Sequence, residues 1–358
     1  MTDFIVIGGG ISGSSIAYFL NKQTKSVKLI DKSGIASAGS KAAGAFLSPM
    51  IGIKNSYNTF VNQALHFALD FYQTIAPDLL QRNGVQRIPK DEEDRANFDT
   101  YEAYIEDLEY SKPDKFGGGF FFKDGAVINP VAIITRLTES IEIVHEDITS
   151  ISFDGEVWSA NGHKAKNIIL ADGAFNRLIG EEYIKIKKLW GQRIVVSTST
   201  TIPHNLHKNC SISKTKDGLI SIGATYERGV LEQEPNEANT LKLLERANDI
   251  VALKDIKVLD AIAGPRAATD DYWALSGEVI DSKSSLEKYP NLKNGQKIAW
   301  DDLIKHKNLY ILNGLGSRAF VIAPLLANNL AEHITQGKPL LEPVRTFRMF
   351  NRWVRKHK

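Results

Sequence analysis

The sequence predicts an α/β fold made of two domains, each assembled from separate stretches of the chain. A length of 358 residues is enough for about two domains with a large apolar core. An apolar run, a glycine-rich turn and a helical pattern follow one another at the start, and similar strand-to-glycine turns return in the middle and near the end. We therefore expect a Rossmann-like parallel sheet in the first domain and a mixed sheet in the second.

The composition excludes several kinds of protein. The single cysteine, Cys210, rules out an internal disulfide, a CxxC redox pair, a cysteine zinc cage and iron–sulfur ligation, and it favours a reducing cytoplasm. The apolar start lacks a basic segment and is interrupted by glycines, so it does not predict a signal peptide. No stretch reaches the roughly 18 apolar residues of a membrane span. The net charge of +2 neither indicates nor excludes binding to nucleic acid.

The first fifty residues predict a dinucleotide-binding unit. Residues 4–7 are typical of a buried parallel strand and lead into a GxGxxG turn at residues 8–13. A helical pattern follows, and residues 27–30 form a second strand that ends at Asp31. Because strand, turn, helix, strand and acid all occur in order, the motif has the context in which it binds a dinucleotide.

Each part of this unit has a physical role. Gly8 allows the tight turn, Gly10 lets a pyrophosphate approach the backbone, and Gly13 lets the helix pack closely on the strand. The helix N-terminus offers free N–H groups and the positive end of the helix dipole. Asp31, eighteen residues after Gly13, is placed to accept hydrogen bonds from a ribose diol, which argues against NADP.

Two later segments argue against a simple NAD domain. Residues 167–170 form an apolar strand that runs into a small-residue turn at 171–174. Residues 309–312 run into a second glycine turn, and a helical pattern follows over 319–334. A simple NAD domain would be complete by about residue 150. Each segment alone also fits an ordinary joint between strand, loop and helix.

The stretches between these segments predict the second domain. Residues 51–125 favour amphipathic helices that cap the active site, with a strand at 120–122, and Asn129 with Pro130 predicts a helix start. Strands are expected within 141–151, and residues 190–263 predict a mixed sheet with a helix over 236–252. The expected boundaries are 1–50, 125–189 and 300–358 for the cofactor domain, and 51–124 and 190–299 for the substrate or cap domain.

Three motifs carry a resemblance to a known family. GGGISG at 8–13, IILADGA at 168–174 and NGLGSRAFVIAP at 313–324 together resemble the D-amino-acid-oxidase-like FAD-dependent oxidoreductases, which include glycine, sarcosine and D-amino-acid oxidases. The resemblance covers nearly the whole chain. It implies FAD as the cofactor, bound to a Rossmann-like domain of the glutathione-reductase type.

Within that family, four stretches are similar to the FAD-dependent domain of the bifunctional enzymes of tRNA 5-methylaminomethyl-2-thiouridine biosynthesis. They are SIGATYERG at 221–229, GPRAAT at 264–269, GLGSR at 314–318 with Ala323 and Pro324, and NRWVRK at 351–356. Those enzymes carry a methyltransferase domain ahead of the FAD domain. Because the glycine fingerprint here begins at residue 8, we expect only the FAD-dependent step, with a separate methyltransferase acting on the product.

The resemblance also implies which residues contact FAD. The turn that opens the last helix is expected to aim N–H groups at flavin N1 and the C2 carbonyl, where reduction places negative charge. A glycine-assisted turn before a packing helix is the alternative. Residues 37–45 depart from the flavin loop of the relatives, so their individual contacts stay open. The implied contacts are Gly8, Gly10, Ile11, Ser12, Gly13, Asp31, Lys32, Ser40, Gly44, Ala45, Ile148, Ala171, Gly173, Gly314, Gly316, Ser317, Arg318 and Ala319.

Three residues are candidates for contact with the substrate. Arg266 and Arg318 fall where related amine oxidases place active-site arginines, and the planar fork of arginine can bind a carboxylate through two hydrogen bonds. Tyr226 could donate its hydroxyl to the same carboxylate. A structural ion pair for either arginine and a buried strand position for the tyrosine are the alternatives. No metal is expected, because His204 and His207 lie in a loop without a third ligand nearby.

The C-terminal segment, residues 345–358, is the main concentration of positive charge. Its cations occur without an acid and are interleaved with aromatic residues, a mixture that suits phosphate contact and base stacking on RNA. A solvated basic helix is the alternative. The cations are Arg345, Arg348, Arg352, Arg355, Lys356 and Lys358, and the aromatic residues are Phe347, Phe350 and Trp353.

These observations and the resemblance lead to an expected function. The chain is expected to be a cytoplasmic FAD-dependent oxidoreductase that acts on a secondary-amine CH–NH group. It would remove the carboxymethyl group of carboxymethylaminomethyl-(2-thio)uridine at the tRNA wobble position, leaving aminomethyl-uridine and releasing glyoxylate. An oxidase of free glycine, sarcosine or D-amino acids and a non-catalytic tRNA-binding flavoprotein are the alternatives. The electron acceptor, the oligomeric state and the mode of FAD attachment are left open.

Overall fold

The structure is a computed structural model that describes residues 1–105, 108–175, 178–229 and 234–356. Within these ranges the chain forms nine α-helices: α1 (Ile11–Lys22), α2 (Ala38–Ala42), α3 (Ser56–Ile75), α4 (Glu92–Glu102), α5 (Pro130–Thr138), α6 (Glu237–Asn248), α7 (Ser282–Lys288), α8 (Ala319–Gln336) and α9 (Phe347–Lys356). Among these described residues, no helix is both long enough and apolar enough to cross a bilayer.

The same ranges contain nineteen β-strands. They are β1 (Thr2–Ile7), β2 (Val27–Asp31), β3 (Phe46–Leu47), β4 (Leu80–Gln81), β5 (Val85–Arg87), β6 (Tyr110–Ser111), β7 (Phe120–Phe122), β8 (Ala126–Ile128), β9 (Glu142–His145), β10 (Ile151–Phe153), β11 (Trp158–Ala160), β12 (His163–Leu170), β13 (Lys187–Ser197), β14 (Asn205–His207), β15 (Ser211–Ile212), β16 (Leu219–Gly223), β17 (Lys257–Ala268), β18 (Leu275–Ile280) and β19 (Lys305–Asn313).

The first sheet joins the start, middle and end of the chain. Five strands run parallel in the order β9-β2-β1-β12-β19, with Phe4 opposite Asn167 and Ile168 opposite Leu309. Antiparallel β18 extends the sheet beyond β19, and the β10–β11 hairpin pairs with the first half of β12. The predicted parallel sheet is therefore confirmed. Because β1, β12 and β19 run in the same direction, their three glycine turns meet at one edge.

Helices α1 and α8 pack on this sheet and bury its apolar side chains. Val6, Ile168 and Ile311 are completely buried, as expected for a parallel sheet that is covered on both faces. Helix α3 packs against α8, and the Tyr72 hydroxyl donates a 2.9 Å hydrogen bond to the Phe320 carbonyl. Residues 51–124 are expected in the cap, whereas this packing groups α3 with the first sheet.

The second sheet has the order β17-β13-β16-β15-β14-β5-β7-β6. Its strand pairs are antiparallel except for β14 with β5, so it is the mixed sheet that the sequence predicts. Helix α6 covers it and has its N-cap at Asn236, whose side chain accepts from the Asn239 backbone. A third, small sheet has the order β3-β8-β4.

Residues 80–87 differ from the sequence prediction. The interpretation of residues 51–125 as helical except at 120–122 is wrong here, because β4 and β5 lie between helices α3 and α4. Strand β5 has only three residues, which is too short to show a period in the sequence. Pairing with β7 and β14 stabilises it, with Val85 opposite both Phe122 and Asn205. This strand carries Arg87 into the candidate site described below.

Candidate active site

A cleft of about 750 Å³ lies between the edge where the parallel strands end and the wall formed by β13 and β17 of the second sheet. A smaller cavity of about 60 Å³ adjoins it beside Ile148 and shares Asp31 and Lys32 with it. Open α/β sheets bind ligands at the carboxyl ends of their strands. The two spaces together therefore form a path for a long ligand across the end of the sheet.

The first glycine turn is closely packed. Gly8 has φ +114°, and a Cβ added there would lie 2.3 Å from the Ala171 carbonyl oxygen. A Cβ at Gly13 would lie 1.9 Å from the Gly8 carbonyl oxygen. Both contacts are far shorter than real Cβ contacts, so glycine is required at both positions. The packing of α1 on this turn therefore brings the helix N-terminus to the cleft.

Two side chains organise the backbone N–H groups around that N-terminus. The Asp31 carboxylate accepts hydrogen bonds from the backbone N–H of Gly9 at 2.8 Å and of Ser33 at 2.7 Å. The Ser40 hydroxyl oxygen accepts from the backbone N–H of Ile11 at 3.0 Å. Asp31 is thus held at the end of β2 with its carboxylate against the glycine turn, where a ribose diol is expected.

The turns after β12 and β19 leave open space instead. Gly173 and Gly316 have φ +61° and +62°, and a Cβ at either position would have no neighbour within 4 Å. The Asn313 amide joins the two turns by donating to the Asp172 carboxylate and the Gly173 carbonyl, each at 3.0 Å. Both glycines line the cleft. Together with the helix N-terminus and Asp31, these open turns fit a dinucleotide that lies along the sheet edge.

Sixteen of the eighteen expected FAD contacts line the cleft or its neighbouring cavity. Fifteen of them line the main cleft, and Ile148 lines the smaller cavity. The two that do not are Gly13, which packs against Gly8, and Gly314, where a Cβ would lie 2.8 Å from Thr269 Cγ2. Close packing explains why both positions are glycine. Direct contact of any of these residues with FAD stays a prediction.

Arg266 lies on the opposite wall, on β17. Its guanidinium donates to the carbonyls of Trp190 at 3.3 Å and Thr225 at 3.1 Å. A Cβ at Gly191 would lie 2.2 Å from Arg266 Nη1, so this glycine makes room for the guanidinium. Burial lowers the pKa of Arg266 from its usual value. Two main-chain oxygens therefore hold the side chain in one place. The residues that supply them, Trp190 and Thr225, both line the cleft.

Tyr226 lies at the mouth of the cleft. Its side chain is 47% exposed, so the interpretation of Tyr226 as a buried strand residue is wrong. Two arginines lie near its ring, with the guanidinium carbon of Arg266 5.7 Å and that of Arg228 5.5 Å from the ring centre. Cations at these distances are attracted by the electron-rich ring face. Tyr226 therefore covers Arg266 at the opening of the cleft.

Arg318 and Arg87 form a second cationic part of the cleft. Arg318 donates to the Ser48 carbonyl at 2.9 Å, and Arg87 donates to the next carbonyl, that of Pro49, at 3.5 Å. Burial and then the charge of Arg318 lower the pKa of Arg87 to about 9, and burial lowers that of Arg318. Arg87 is not predicted from the sequence. A single arginine in a three-residue strand has no local signal, and only the pairing of β5 with β14 places it here.

The two histidines considered as a metal pair have separate partners. His207, opposite Arg87 in the sheet, shares a 2.6 Å hydrogen bond with the Ser211 hydroxyl. Burial and the charges of Arg87, Arg318 and Lys90 hold the pKa of His207 well below its usual value. His204 shares a 2.9 Å hydrogen bond with the Gln86 side chain. Each imidazole is thus part of a local structural contact.

The C-terminal segment forms helix α9 and packs on the first domain. Phe350 is completely buried and contacts Tyr183 edge to face at 5.6 Å, so the expectation that Phe350 stacks on RNA is wrong. Arg348 and Arg352 both bind the Asp271 carboxylate, at 3.0 and 2.6 Å. Arg355 and Lys356 are exposed, and Lys358 lies outside the described residues.

Comparisons with known proteins agree with the resemblance. The family model described as FAD dependent oxidoreductase matches residues 3–333. The chain is 26% identical to the tRNA 5-methylaminomethyl-2-thiouridine biosynthesis bifunctional protein MnmC of Leptospira borgpetersenii, over 98% of this chain and 61% of that protein. It thus spans about three fifths of the length of that relative. It is 22% identical to glycine oxidase of Bacillus subtilis, over 82% of this chain and 89% of that enzyme.

The fold is similar to that of a solved glycine oxidase. The crystal structure of glycine oxidase from Bacillus cereus superposes with a TM-score of 0.78 at 16% identity, covering 95% of this chain and 96% of the other. At this identity the likeness concerns the fold alone. It agrees with the two sheets and the cleft between them.

Proposed function

The chain belongs to the family of FAD-dependent oxidoreductases, and from that premise we propose that it acts on the wobble uridine of tRNA. The proposed reaction removes the carboxymethyl group of carboxymethylaminomethyl-(2-thio)uridine, giving aminomethyl-uridine and glyoxylate. The substrate bond is the CH–NH bond of a secondary amine. Cytoplasmic location and a separate methyltransferase that acts on the product are part of the same proposal.

One observation carries this proposal. A cleft that runs along the cofactor edge of the sheet faces a wall where Arg266 is partly buried and donates hydrogen bonds to two main-chain oxygens. In the described part of the chain, no carboxylate forms an ion pair with Arg266. A guanidinium that lines a cleft and has donors to spare is suited to binding an anionic group on a ligand. The carboxymethyl group supplies a carboxylate next to the carbon that is oxidised.

The choice of tRNA as substrate comes from the similarity to MnmC. It extends over 98% of this chain, whereas the similarity to glycine oxidase extends over 82% at lower identity. The first relative's name places it in tRNA 5-methylaminomethyl-2-thiouridine biosynthesis. The exposed ring of Tyr226 beside Arg228 is also suited to stacking against a base at the cleft mouth.

The chemistry divides between the cofactor and the chain. FAD, when bound, would supply the acceptor for a hydride from the carbon next to the amine nitrogen. The nitrogen loses its proton, so the substrate gives up two electrons and two protons in total and becomes an imine. Water then adds to the imine carbon, and the C–N bond breaks to leave glyoxylate and the aminomethyl nucleoside. No catalytic base is required if the amine binds in its neutral form.

The residues of the chain would bind and orient the substrate. Arg266 would hold the carboxylate so that the neighbouring carbon faces the cofactor edge, which supplies proximity and orientation. The helix that begins at Ala319 directs its N-terminus to the cleft, where its dipole would stabilise negative charge on the reduced cofactor. Tyr226 would shield the Arg266 guanidinium from solvent.

Similarity to glycine oxidase supports a second candidate, an oxidase of free glycine, sarcosine or D-amino acids. The third candidate is a flavoprotein that binds tRNA without turnover. Anaerobic flavin absorbance separates the three. Bleaching only by tRNA that carries the carboxymethylaminomethyl group is the result we expect. Bleaching by free glycine or sarcosine at a comparable rate would favour the second candidate, and no bleaching by any of them would favour the third.

A further inference from the structure

The cleft contains two arginines besides the one proposed to bind the substrate carboxylate. Arg266 lies on β17, while Arg87 and Arg318 lie together beside residues 48 and 49. All three line the same space. In the part of the chain that the structure describes, no ion pair joins any of them to an acid.

Two consecutive carbonyls hold Arg87 and Arg318 next to each other. Ser48 accepts from Arg318 and Pro49 accepts from Arg87, so both guanidinium groups are anchored to one short piece of backbone. Each guanidinium has five N–H donors, so most of them are left for a ligand. The charge of Arg318 lowers the pKa of Arg87, as expected for neighbouring like charges. An anion bound between the two guanidinium groups would relieve this repulsion.

The acids that line the cleft are occupied or lie elsewhere. Asp31 accepts from backbone N–H groups at the first glycine turn, and Asp172 accepts from Asn313. Glu234 is exposed. His207 faces Arg87 across the sheet and shares a hydrogen bond with Ser211, so it adds no negative charge. The charge of Asp94 raises the pKa of Arg87, but this carboxylate accepts from the Lys90 backbone and forms no ion pair with Arg87 among the described residues.

We propose that Arg87 and Arg318 form a second anion-binding subsite, which takes a second anionic group on the substrate whose carboxylate binds Arg266. The chemistry shared by its ligands is an oxyanion, either a carboxylate or a phosphate-type group. The proposal rests on the proposed function only in assigning the first carboxylate to Arg266. A carboxymethylated nucleotide carries both a carboxylate and a phosphate, whereas glycine and sarcosine carry one anion. The subsite thus distinguishes nucleotide-like substrates from simple amino acids.

The test compares three ligands that share an N-carboxymethyl amine and differ in the second substituent. N-methylglycine has one anion, iminodiacetate has a second carboxylate, and N-(phosphonomethyl)glycine has a phosphonate. Binding is measured by calorimetry on holoenzyme that has been reduced anaerobically, so that no turnover occurs. We expect the two dianions to bind about tenfold or more tightly than N-methylglycine. Whichever dianion binds more tightly identifies the preferred oxyanion.

Variants test whether Arg87 causes the difference. In Arg87→Met we expect the advantage of the dianions to fall to about threefold or less, with the affinity for N-methylglycine nearly unchanged. Arg87→Lys keeps one charge without the planar fork and should retain part of the advantage. Arg82→Met is the matched control, because Arg82 lies five residues away in an exposed ion pair with Asp124. Flavin content and Tm show whether each variant is folded.

Two results would overturn the subsite. One is equal binding of all three ligands by the parent holoenzyme, which needs no variant. The other is an equal loss of affinity for all three in Arg87→Met, which would mean that one anion site serves them all. The proposed function fails by a separate result, which is that the holoenzyme releases no glyoxylate from modified tRNA. That result does not depend on the relative affinities of the three ligands.

Discussion

The arginines of helix α9 and those of the cleft are the same residue type in opposite electrostatic settings. Arg348 and Arg352 share the carboxylate of Asp271, and Arg348 also donates to the Ala274 carbonyl. The cleft arginines, Arg87, Arg266 and Arg318, donate to main-chain carbonyls and form no ion pair with an acid in the described part of the chain. The first group is neutralised within the protein, and the second keeps its charge for a ligand.

This difference corrects the simplest interpretation of the charge distribution. In the sequence, the C-terminal segment is the conspicuous cationic feature, while the cleft arginines are scattered over more than two hundred residues. In the structure, two of the C-terminal cations stabilise the docking of α9. Three arginines without an acidic partner among the described residues line the cleft instead. Charge density along a sequence therefore does not indicate where a protein offers charge to a ligand.

Of the changes considered, loss of a cleft arginine should slow the reaction most. Replacing Arg266 by Met removes the proposed partner of the substrate carboxylate, so substrate-dependent flavin reduction should slow by about 100-fold or more at low substrate concentration. Flavin content should stay the same. Anaerobic stopped-flow absorbance measures the rate, with Arg82→Met as control. A reduction rate equal to that of the parent would remove Arg266 from the binding site.

The variant Asp271→Asn tests the ion pairs of helix α9. This variant leaves Arg348 and Arg352 without their counter-charge, and we expect a loss of about 2 kcal/mol in the free energy of unfolding. Full burial would cost more, but the Asp271 and Arg348 side chains are each 18% exposed. Denaturant unfolding measures the loss, and the flavin reduction rate of the folded variant should match the parent. An unchanged stability would show that α9 docks through its apolar face alone.

The same ion pairs predict a pH dependence. Burial alone would raise the pKa of Asp271, but hydrogen bonds and charge from Arg348 and Arg352 outweigh it and lower the pKa below its usual value. The stabilisation is therefore present above the unfolded pKa of about 3.9 and is lost as the pH falls through the lower folded value. The Tm difference between parent and Asp271→Asn should shrink below about pH 4. A difference that stays constant down to about pH 2 would contradict this.

The smallest expected effect concerns the exposed end of α9. Arg355 and Lys356 keep their charge in solvent, so replacing both with Ala should weaken tRNA binding by only a few-fold and lower the salt dependence by about one or two phosphate contacts. Arg355→Lys, which keeps the charge, is the matched control. Filter binding at several salt concentrations provides the measurement. A loss of 100-fold would restore the C-terminal segment as the main RNA contact.

Truncation of the segment cannot replace these point changes. Removing the residues after Pro343 would delete Met349, Phe350 and Val354, which are buried in the core of the first sheet. Loss of RNA binding in such a chain would reflect unfolding of the docking site. Single charge changes at the exposed end leave that core intact.

The cofactor side of the cleft was predictable because its signals are local. The turn at Gly8 and the close packing of Gly13 follow from the spacing of six residues, and the acid after the second strand follows from the length of one strand–helix–strand unit. The pattern of a strand followed by a glycine turn recurs twice later in the chain, and this recurrence predicted that the three turns lie at one edge of the sheet. The sheet then followed from the rule that parallel strands end at the same edge.

The substrate side was predictable only in part, since its residues meet through strand pairing across long stretches of chain. Arg266 was found through the family resemblance, and nothing local showed that Gly191 makes space for it. Arg87 depends on a three-residue strand and on its pairing with residues more than a hundred positions later. The partners of the C-terminal arginines depend on Asp271, about eighty residues earlier. Such contacts have no period or motif in the sequence.

Oxidation of the carboxymethylaminomethyl group of tRNA is the activity that we propose for this cleft. The most direct test is mass analysis of nucleosides from tRNA incubated with the holoenzyme, together with measurement of glyoxylate. We predict conversion of carboxymethylaminomethyl-(2-thio)uridine to the aminomethyl nucleoside, with one glyoxylate released for each group removed. An unchanged nucleoside profile, with glyoxylate formed from free glycine by the same holoenzyme, would contradict the account.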